Sequence, residues 1–124
     1  MKKLATMMAL GLALAAGAPA IAHESPARHG GIVKSAGDLS FELVNKEGRT
    51  TLYVDDHGKA VATADATGTL TVLKGTQKSE TALAPGADNT LVAKNAVALE
   101  AGNKVVARVT LPGKQPVSVR FAVK

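Results

Sequence analysis

Three histidines and two aspartates are the residues of this chain whose types and spacing could do chemistry. His23 and His29 lie near the two ends of a polar segment early in the chain, and His57 directly follows Asp55 and Asp56. Imidazole nitrogens and carboxylate oxygens are the ligands that Cu(II) and Zn(II) accept in proteins. These five residues therefore predict a metal site built from nitrogen and oxygen.

The polar segment around the first two histidines, residues 23–31, contains a proline and two adjacent glycines and predicts a flexible arm. If the chain is processed after Ala22, His23 presents a free α-amino group beside its own imidazole, and together they can chelate Cu(II). Glu24 would add an oxygen, and His29 a second imidazole if the arm bends back. Two other interpretations stay open: a solvated linker whose histidines are incidental, and a peptide that docks on a partner.

Asp55, Asp56, His57 and Gly58 follow a segment with the composition of a strand. On an extended backbone Asp55 and His57 would share a face and offer an oxygen and a nitrogen to one ion. The alternative is a turn alone, because Asp and Gly are what a tight turn uses in any case. Four ligands at zinc-finger spacing are not present, so we expect an open site of modest affinity.

Catalysis is not indicated by these residues. An enzyme of this size needs a nucleophile beside a base, or two carboxylates across a cleft. Asp55 and Asp56 are adjacent in sequence, and Ser25 and His29 lie in the predicted arm without a scaffold to hold them. We therefore expect a protein that is not an enzyme and that uses no organic cofactor.

The start of the chain has the features of an export signal. Lys2 and Lys3 precede an apolar stretch over residues 4–16, and Ala20-Ile21-Ala22 fits the small-residue rule for cleavage. The apolar stretch is shorter than the roughly 20 residues that a membrane-spanning helix needs. The sequence thus predicts a cleaved signal peptide over residues 1–22, a periplasmic location, and no membrane span after cleavage.

The amino-acid composition limits which metal ions and macromolecules the exported chain is expected to bind. There is no cysteine, and the three methionines all lie within the predicted signal peptide, so the soft ligands that select Cu(I) are missing from the remainder. The formal net charge of +5 includes Lys2 and Lys3. The other basic residues are scattered along the sequence without interleaved aromatic residues, so no nucleic-acid partner is expected.

Residues 32–124 show the alternation of strands with one buried face. Leu39, Phe41 and Leu43 alternate with polar residues, and so do the segments 105–111 and 117–123. Val106 falls on the otherwise polar face of its segment, which indicates packing by a loop or partner, or simply an exposed valine. Further strands are predicted to start at Ile32 and to cover residues 50–54, 61–63, 69–73, 79–83, 90–93 and, more weakly, 97–99. We expect about seven or eight of these segments to be short strands of one all-β domain, an antiparallel β-sandwich or a small Greek-key barrel.

Three segments add a resemblance: ARHGGIVKSAGDLSFELV, TLYVDDHGKAVATADATGTLTVLKG and VTLPGKQPVSVRFAVK. They resemble a group of small periplasmic proteins of proteobacteria and are similar to an amino-terminal domain of the membrane-fusion subunits of heavy-metal efflux pumps. His29-Gly30-Gly31 and Asp56-His57-Gly58 are the positions that match. A looser likeness, in ligand set alone, is to periplasmic copper carriers that bind Cu(II) through an amino-terminal His and an Asp-x-His pair.

Together these features lead us to expect a periplasmic metal-binding accessory protein in heavy-metal handling or efflux, with an efflux-pump periplasmic subunit as its protein partner. The expected ligands are His23, His29, Asp55, Asp56 and His57, with Cu(II) or Zn(II) as the ion. Because imidazole must be neutral to ligate, affinity should fall as the pH drops through about 6.5. The alternative is a structural or interaction module of the cell envelope whose histidines are incidental.

Overall fold

The computed structural model describes residues 26–124 of the chain, and the predicted signal peptide, its cleavage site and His23 lie outside these residues. The described part contains nine strands and no helix, and thus no helix that could span a bilayer. The strands are β1 (Ile32–Ala36), β2 (Leu39–Lys46), β3 (Arg49–Asp56), β4 (Lys59–Ala60), β5 (Thr67–Lys74), β6 (Gln77–Pro85), β7 (Thr90–Ala93), β8 (Lys104–Thr110) and β9 (Val117–Ala122).

All strand pairs are antiparallel and form one sheet in the order β1-β2-β3-β7-β6-β5-β8-β9, with β4 paired to the end of β3. Strands β5, β6 and β7 follow one another, and β8 returns to lie beside β5, which is the Greek-key arrangement. The two end strands, β1 and β9, contact each other without pairing, so the sheet curls into a nearly closed barrel. The predicted all-β antiparallel fold is confirmed.

The core fills the inside of this barrel with aliphatic side chains and two phenylalanines, Phe41 and Phe121. Inward and outward residues alternate along β3, β5, β8 and β9, as the sequence patterns predicted. Strand β2 differs, because its outward residues Glu42 and Val44 are buried as well. The residues that precede β1 cover this part of the outer surface.

Two predicted strands are absent from the described part of the chain. Residues 61–63 follow β4 as irregular chain, because the backbone of Thr63 bonds to Asp88 instead of to a neighbouring strand. Residues 97–99 are also irregular, and the N–H of Val97 donates to the carbonyl of Gly48 in the β2–β3 turn. Apolar side chains on both segments pack against the core, which explains why they resemble strands in sequence.

Candidate metal-binding site

Within residues 26–124, the carboxylate of Glu42 on β2 makes more hydrogen bonds than any other side chain. It accepts hydrogen bonds from the backbone N–H groups of Arg28, His29 and Gly31 at 3.0, 2.8 and 2.9 Å. The Nδ1 atom of His29 lies 3.0 Å from its Oε1 atom. A single acidic side chain thus satisfies four donors and fastens residues 28–31 to the sheet.

Glu42 keeps its negative charge in this position. Burial raises the pKa of its carboxyl, but the hydrogen bonds from Gly31, from the His29 ring and from the backbone of Arg28 and His29 together lower that pKa below its ordinary value. An ionised carboxylate has no proton to give, so the Nδ1 atom of His29 must be the donor of their hydrogen bond.

The His29 ring is fixed on its flat side as well. It stacks on the ring of Tyr53, with ring centroids 3.7 Å apart and planes 5° apart. Tyr53 lies directly opposite Glu42 in the β2–β3 pair. The two residues that contact the His29 ring are therefore cross-strand neighbours. The imidazole remains partly exposed, and its Nε2 atom has no hydrogen-bond partner among residues 26–124.

The approach of this segment to β2 depends on Gly31. A Cβ atom on Gly31 would overlap the carbonyl oxygen of Leu43 and would lie 2.8 Å from a methyl carbon of Val44. Any other residue would therefore have to move the chain away from β2. One of the two adjacent glycines that indicated a flexible arm therefore allows close contact with the sheet.

The acidic turn, residues 55–58, connects β3 to the short strand β4. His57 and Gly58 have positive φ angles of 50° and 86°, which together define a type I′ hairpin turn. Asp55 is extended within β3, but the left-handed conformation of His57 removes His57 from the period-two alternation, so the two residues do not share a face as they would on an extended backbone. The turn interpretation describes the backbone of this segment.

The side chains of the acidic turn have different surroundings. One oxygen of Asp55 accepts a hydrogen bond from the amide of Asn89 at 3.2 Å. The Nε2 atom of His57 lies 3.7 Å from an oxygen of Asp56, and the His57 side chain is 82% exposed. Asp56 and His57 are consequently free to reorient, whereas Asp55 is held by the loop before β7.

The residues before β1 reach the acidic turn, but the side chain that lies beside the turn is Arg28 and not a histidine. The Nη2 atom of Arg28 lies 3.8 Å from the position that a Cβ atom on Gly58 would occupy. Residue 28 is therefore beside the acidic turn while residue 29 is stacked on β3, and both lie on the same side of the barrel. A permanent guanidinium charge at this point opposes a cation between the two segments.

The structure places four of the five predicted ligands, His29, Asp55, Asp56 and His57, around the outer surface of β3 and its turn, and the fifth, His23, lies outside the described residues. Within residues 26–124, no three His, Asp or Glu side chains converge to form a metal-binding group. The set thus provides one oriented imidazole and a neighbouring acidic turn.

Sequence reasoning missed Glu42 and Tyr53, which hold the imidazole. Glu42 occupies a polar position of an alternating strand, and that pattern predicts a solvated side chain. The structure shows it 6% exposed instead, because residues 28–31 cover it. No spacing in the sequence links residues 29 and 42, so the register of β1, β2 and β3 was needed to find this contact.

Comparison of the chain with protein families, with curated proteins and with solved structures finds no match. The resemblance to the efflux-pump domain therefore stays a prediction.

Proposed function

We propose that this protein is a periplasmic metal-binding accessory protein that holds Cu(II) or a similar ion in a labile site of nitrogen and oxygen ligands. The observation that supports this proposal is the state of His29. Its Nδ1 atom donates to a buried carboxylate, its face is stacked on Tyr53, and its Nε2 atom has no hydrogen-bond partner within residues 26–124. Histidines that ligate metals are oriented in this way, with the second ring nitrogen bonded to a carboxylate.

The acidic turn supplies the other described ligands of the proposed site. Asp56 and His57 are side chains that are free to reorient at the end of β3, so in the proposed site they turn toward an ion held by the fixed imidazole of His29. His23 and its α-amino group would complete the set from the part of the arm before residue 26. The site would be open to solvent, and its occupancy would depend on the metal concentration.

Metal titration of variants tests this proposal. The exported protein, with its first residue fixed by mass spectrometry, is titrated with Cu(II) in a buffer that does not bind metal. His29→Phe keeps an aromatic ring on Tyr53 and removes both nitrogens, and we expect at least a tenfold loss of affinity. His57→Gln should also weaken binding, by a smaller factor, because His57 is mobile.

The control is Lys59→Gln, which changes the strand after the acidic turn without removing a ligand. This variant should bind Cu(II) at least as well as the unchanged protein, since it removes a positive charge. Wild-type protein that does not bind at micromolar metal would reject the proposal. Binding that survives His29→Phe unchanged would reject His29 as a ligand.

A second candidate function is a non-catalytic interaction module of the envelope, in which the histidines are incidental. The position of Arg28 favours it, because a guanidinium beside the acidic turn reduces the attraction of that turn for cations. In this case His29 and Glu42 serve only to fasten the arm. Metal titrations without any response of His29 or His57 would favour this candidate.

A further inference from the structure

The register of the sheet gathers basic residues that are scattered in sequence. Strands β5, β8 and β9 are neighbours, and their outward positions alternate with the buried core residues. Arg108 on β8 lies opposite Thr69 on one side and Ser118 on the other. Arg120 on β9 lies opposite Val106, one outward position along from Arg108.

Lys104, on the same side of β8, completes what we call the basic face, the outward surface of β5, β8 and β9. Lys104, Arg108 and Arg120 are all exposed on it. None of these three strands contains an aspartate or glutamate. The adjacent strand β6 carries Glu80, but its carboxylate lies 3.9 Å from the ammonium group of Lys78, which offsets its charge.

Most of the other outward side chains of the basic face are short hydroxyl residues, and the apolar ones are Leu73, Val106 and Ala122. Arg108 and the threonines 67, 69 and 110 line a shallow depression together with Gly68. Guanidinium groups and hydroxyls are the donors that bind phosphate oxygens in proteins. Val106, which the sequence pattern placed on the polar face of its strand, lies at the centre of this surface and is partly exposed.

We infer that the basic face is a docking surface for an anionic phospholipid membrane. An acidic protein partner fits less well, because protein interfaces depend on large anchors such as Trp and Tyr. Val92 on β7 is the one large hydrophobic residue exposed in the described part of the chain, and it lies outside the basic face. A surface of spaced cations and hydroxyls without an inserting side chain suits a layer of phosphate groups.

This inference does not depend on the proposed metal site. The basic face and the surface around His29 are separated in the barrel by β1 on one side and by β6 and β7 on the other. Contact with a membrane through β5, β8 and β9 would leave β2 and β3 exposed to solvent. One molecule could then bind a membrane and a metal at the same time.

Co-sedimentation with vesicles tests the docking surface. The protein is mixed with vesicles of phosphatidylglycerol and phosphatidylcholine in equal parts, or of phosphatidylcholine alone, at low and at high salt. Each cation near an anionic membrane contributes about fivefold to affinity. The triple variant K104Q/R108Q/R120Q should therefore bind the anionic vesicles about a hundredfold more weakly, and wild type should lose binding at high salt.

The matched control is K46Q/R49Q/K94Q, which removes the same charge from exposed positions outside the basic face. We expect this variant to retain most of the binding. The single variant R120Q, expected to bind about fivefold more weakly, keeps the test valid if the triple variant fails to fold. Equal losses in both triple variants, no wild-type binding to anionic vesicles, or tighter binding to poly-glutamate than to vesicles would overturn the inference.

Discussion

A buried carboxylate is costly to a protein unless donors surround it, and Glu42 is surrounded by four. Three of these donors are successive or nearly successive backbone N–H groups, which form a small concave anion site around the glutamate. The fourth is the imidazole of His29. The orientation of His29 is therefore set by the same residue that fixes the chain before β1.

Replacing Glu42 with Gln should destabilise the protein by about 2 kcal/mol, since hydrogen bonds to charged groups contribute more than neutral ones. The Gln amide group would also direct N–H donors toward backbone N–H donors. Urea unfolding at neutral pH measures the loss. If the free energy of unfolding falls by less than it does for Glu47→Gln, a substitution at an exposed residue, the role given to Glu42 is contradicted.

The stability contribution of Glu42 should also depend on pH. Its pKa is lower in the folded protein than in the unfolded chain, so its contribution is complete above the unfolded pKa. It is lost as the pH falls through the ordinary carboxyl range and then below the lowered value. Wild type should lose more stability than Glu42→Gln over this acidic range, and parallel unfolding curves for the two proteins would count against the assignment.

The stacking of His29 on Tyr53 gives a separate prediction for a single side chain. Tyr53→Leu should cost about 1 kcal/mol beyond the lost contact area, because stacked rings are favourable by that order. Tyr53→Phe keeps the stack and serves as the control, with an expected change near zero. Unfolding measurements on both variants check this. Equal losses in the free energy of unfolding would show that stacking on His29 does not stabilise the protein.

At the residue level, the sequence predicted some parts of the site and missed others. His29 and the acidic turn were identified from residue type and position. Glu42 and Tyr53 were not, since their importance comes from a contact across 13 residues and from a register between two strands. Hydrophobic alternation predicts which face of a strand is buried by the core, but it does not report a segment that covers the other face.

At the scale of the elements, Thr63 holds the irregular segment after β4 in place through hydrogen bonds. Its side chain is buried, and its hydroxyl lies 2.6 Å from the carbonyl of Thr90 and 3.1 Å from that of Asp88. The backbone N–H of the same residue also bonds to Asp88. This residue thus joins the connection between β4 and β5 to the start of β7, on the side where β3 pairs with β7.

Thr63→Val keeps the shape of the side chain and removes the hydroxyl. The single hydroxyl proton is shared between the carbonyls of Thr90 and Asp88, and each carbonyl keeps a backbone N–H donor without it, so we expect a loss of about 1 kcal/mol in the free energy of unfolding. Thr69→Val, at an exposed outward position of β5, is the matched control and should be nearly neutral. Similar small changes in both variants would contradict the anchoring role of Thr63.

The strands themselves were largely predictable, because each buries one face and its apolar residues recur with a period of two. The predicted starts at Ile32 and Leu39 and the extent of β7 agree with the structure. Strand β4 was not predicted, and the strands predicted at residues 61–63 and 97–99 are instead irregular chain whose apolar residues pack on the core. A short apolar segment looks the same in sequence whether its backbone bonds to a strand or to a loop.

At the scale of the whole molecule, the sheet has a continuous middle and two unpaired edges. Strands β5 and β8 each have hydrogen-bonded neighbours on both sides, whereas β1 and β9 each have one. We expect the backbone amides of β5 and β8 to exchange slowest with solvent deuterium. Among the strand amides, those on the unpaired sides of β1 and β9 should exchange fastest. Slow exchange throughout β1 and β9 would indicate that another segment or molecule pairs with these edges.

The order of strands could not be predicted from the sequence, because alternation does not specify which strands are neighbours. That order places the acidic turn beside the residues before β1, and it places Arg108 and Arg120 on one surface. Both proposed surfaces therefore depend on the order of the strands. Their residues are separated in sequence by distances that no local pattern connects.

We propose that His29 is a prepared metal ligand, which carries its proton on Nδ1 and offers the lone pair of Nε2 to the ion. Nitrogen NMR of the imidazole, recorded during a Zn(II) titration, tests this most directly. We predict that the Nδ1 resonance of His29 is that of a protonated nitrogen before and after metal is added, and that the Nε2 resonance shifts on binding. A proton on Nε2 in the metal-free protein, or an Nε2 resonance unmoved by Zn(II), would contradict the claim.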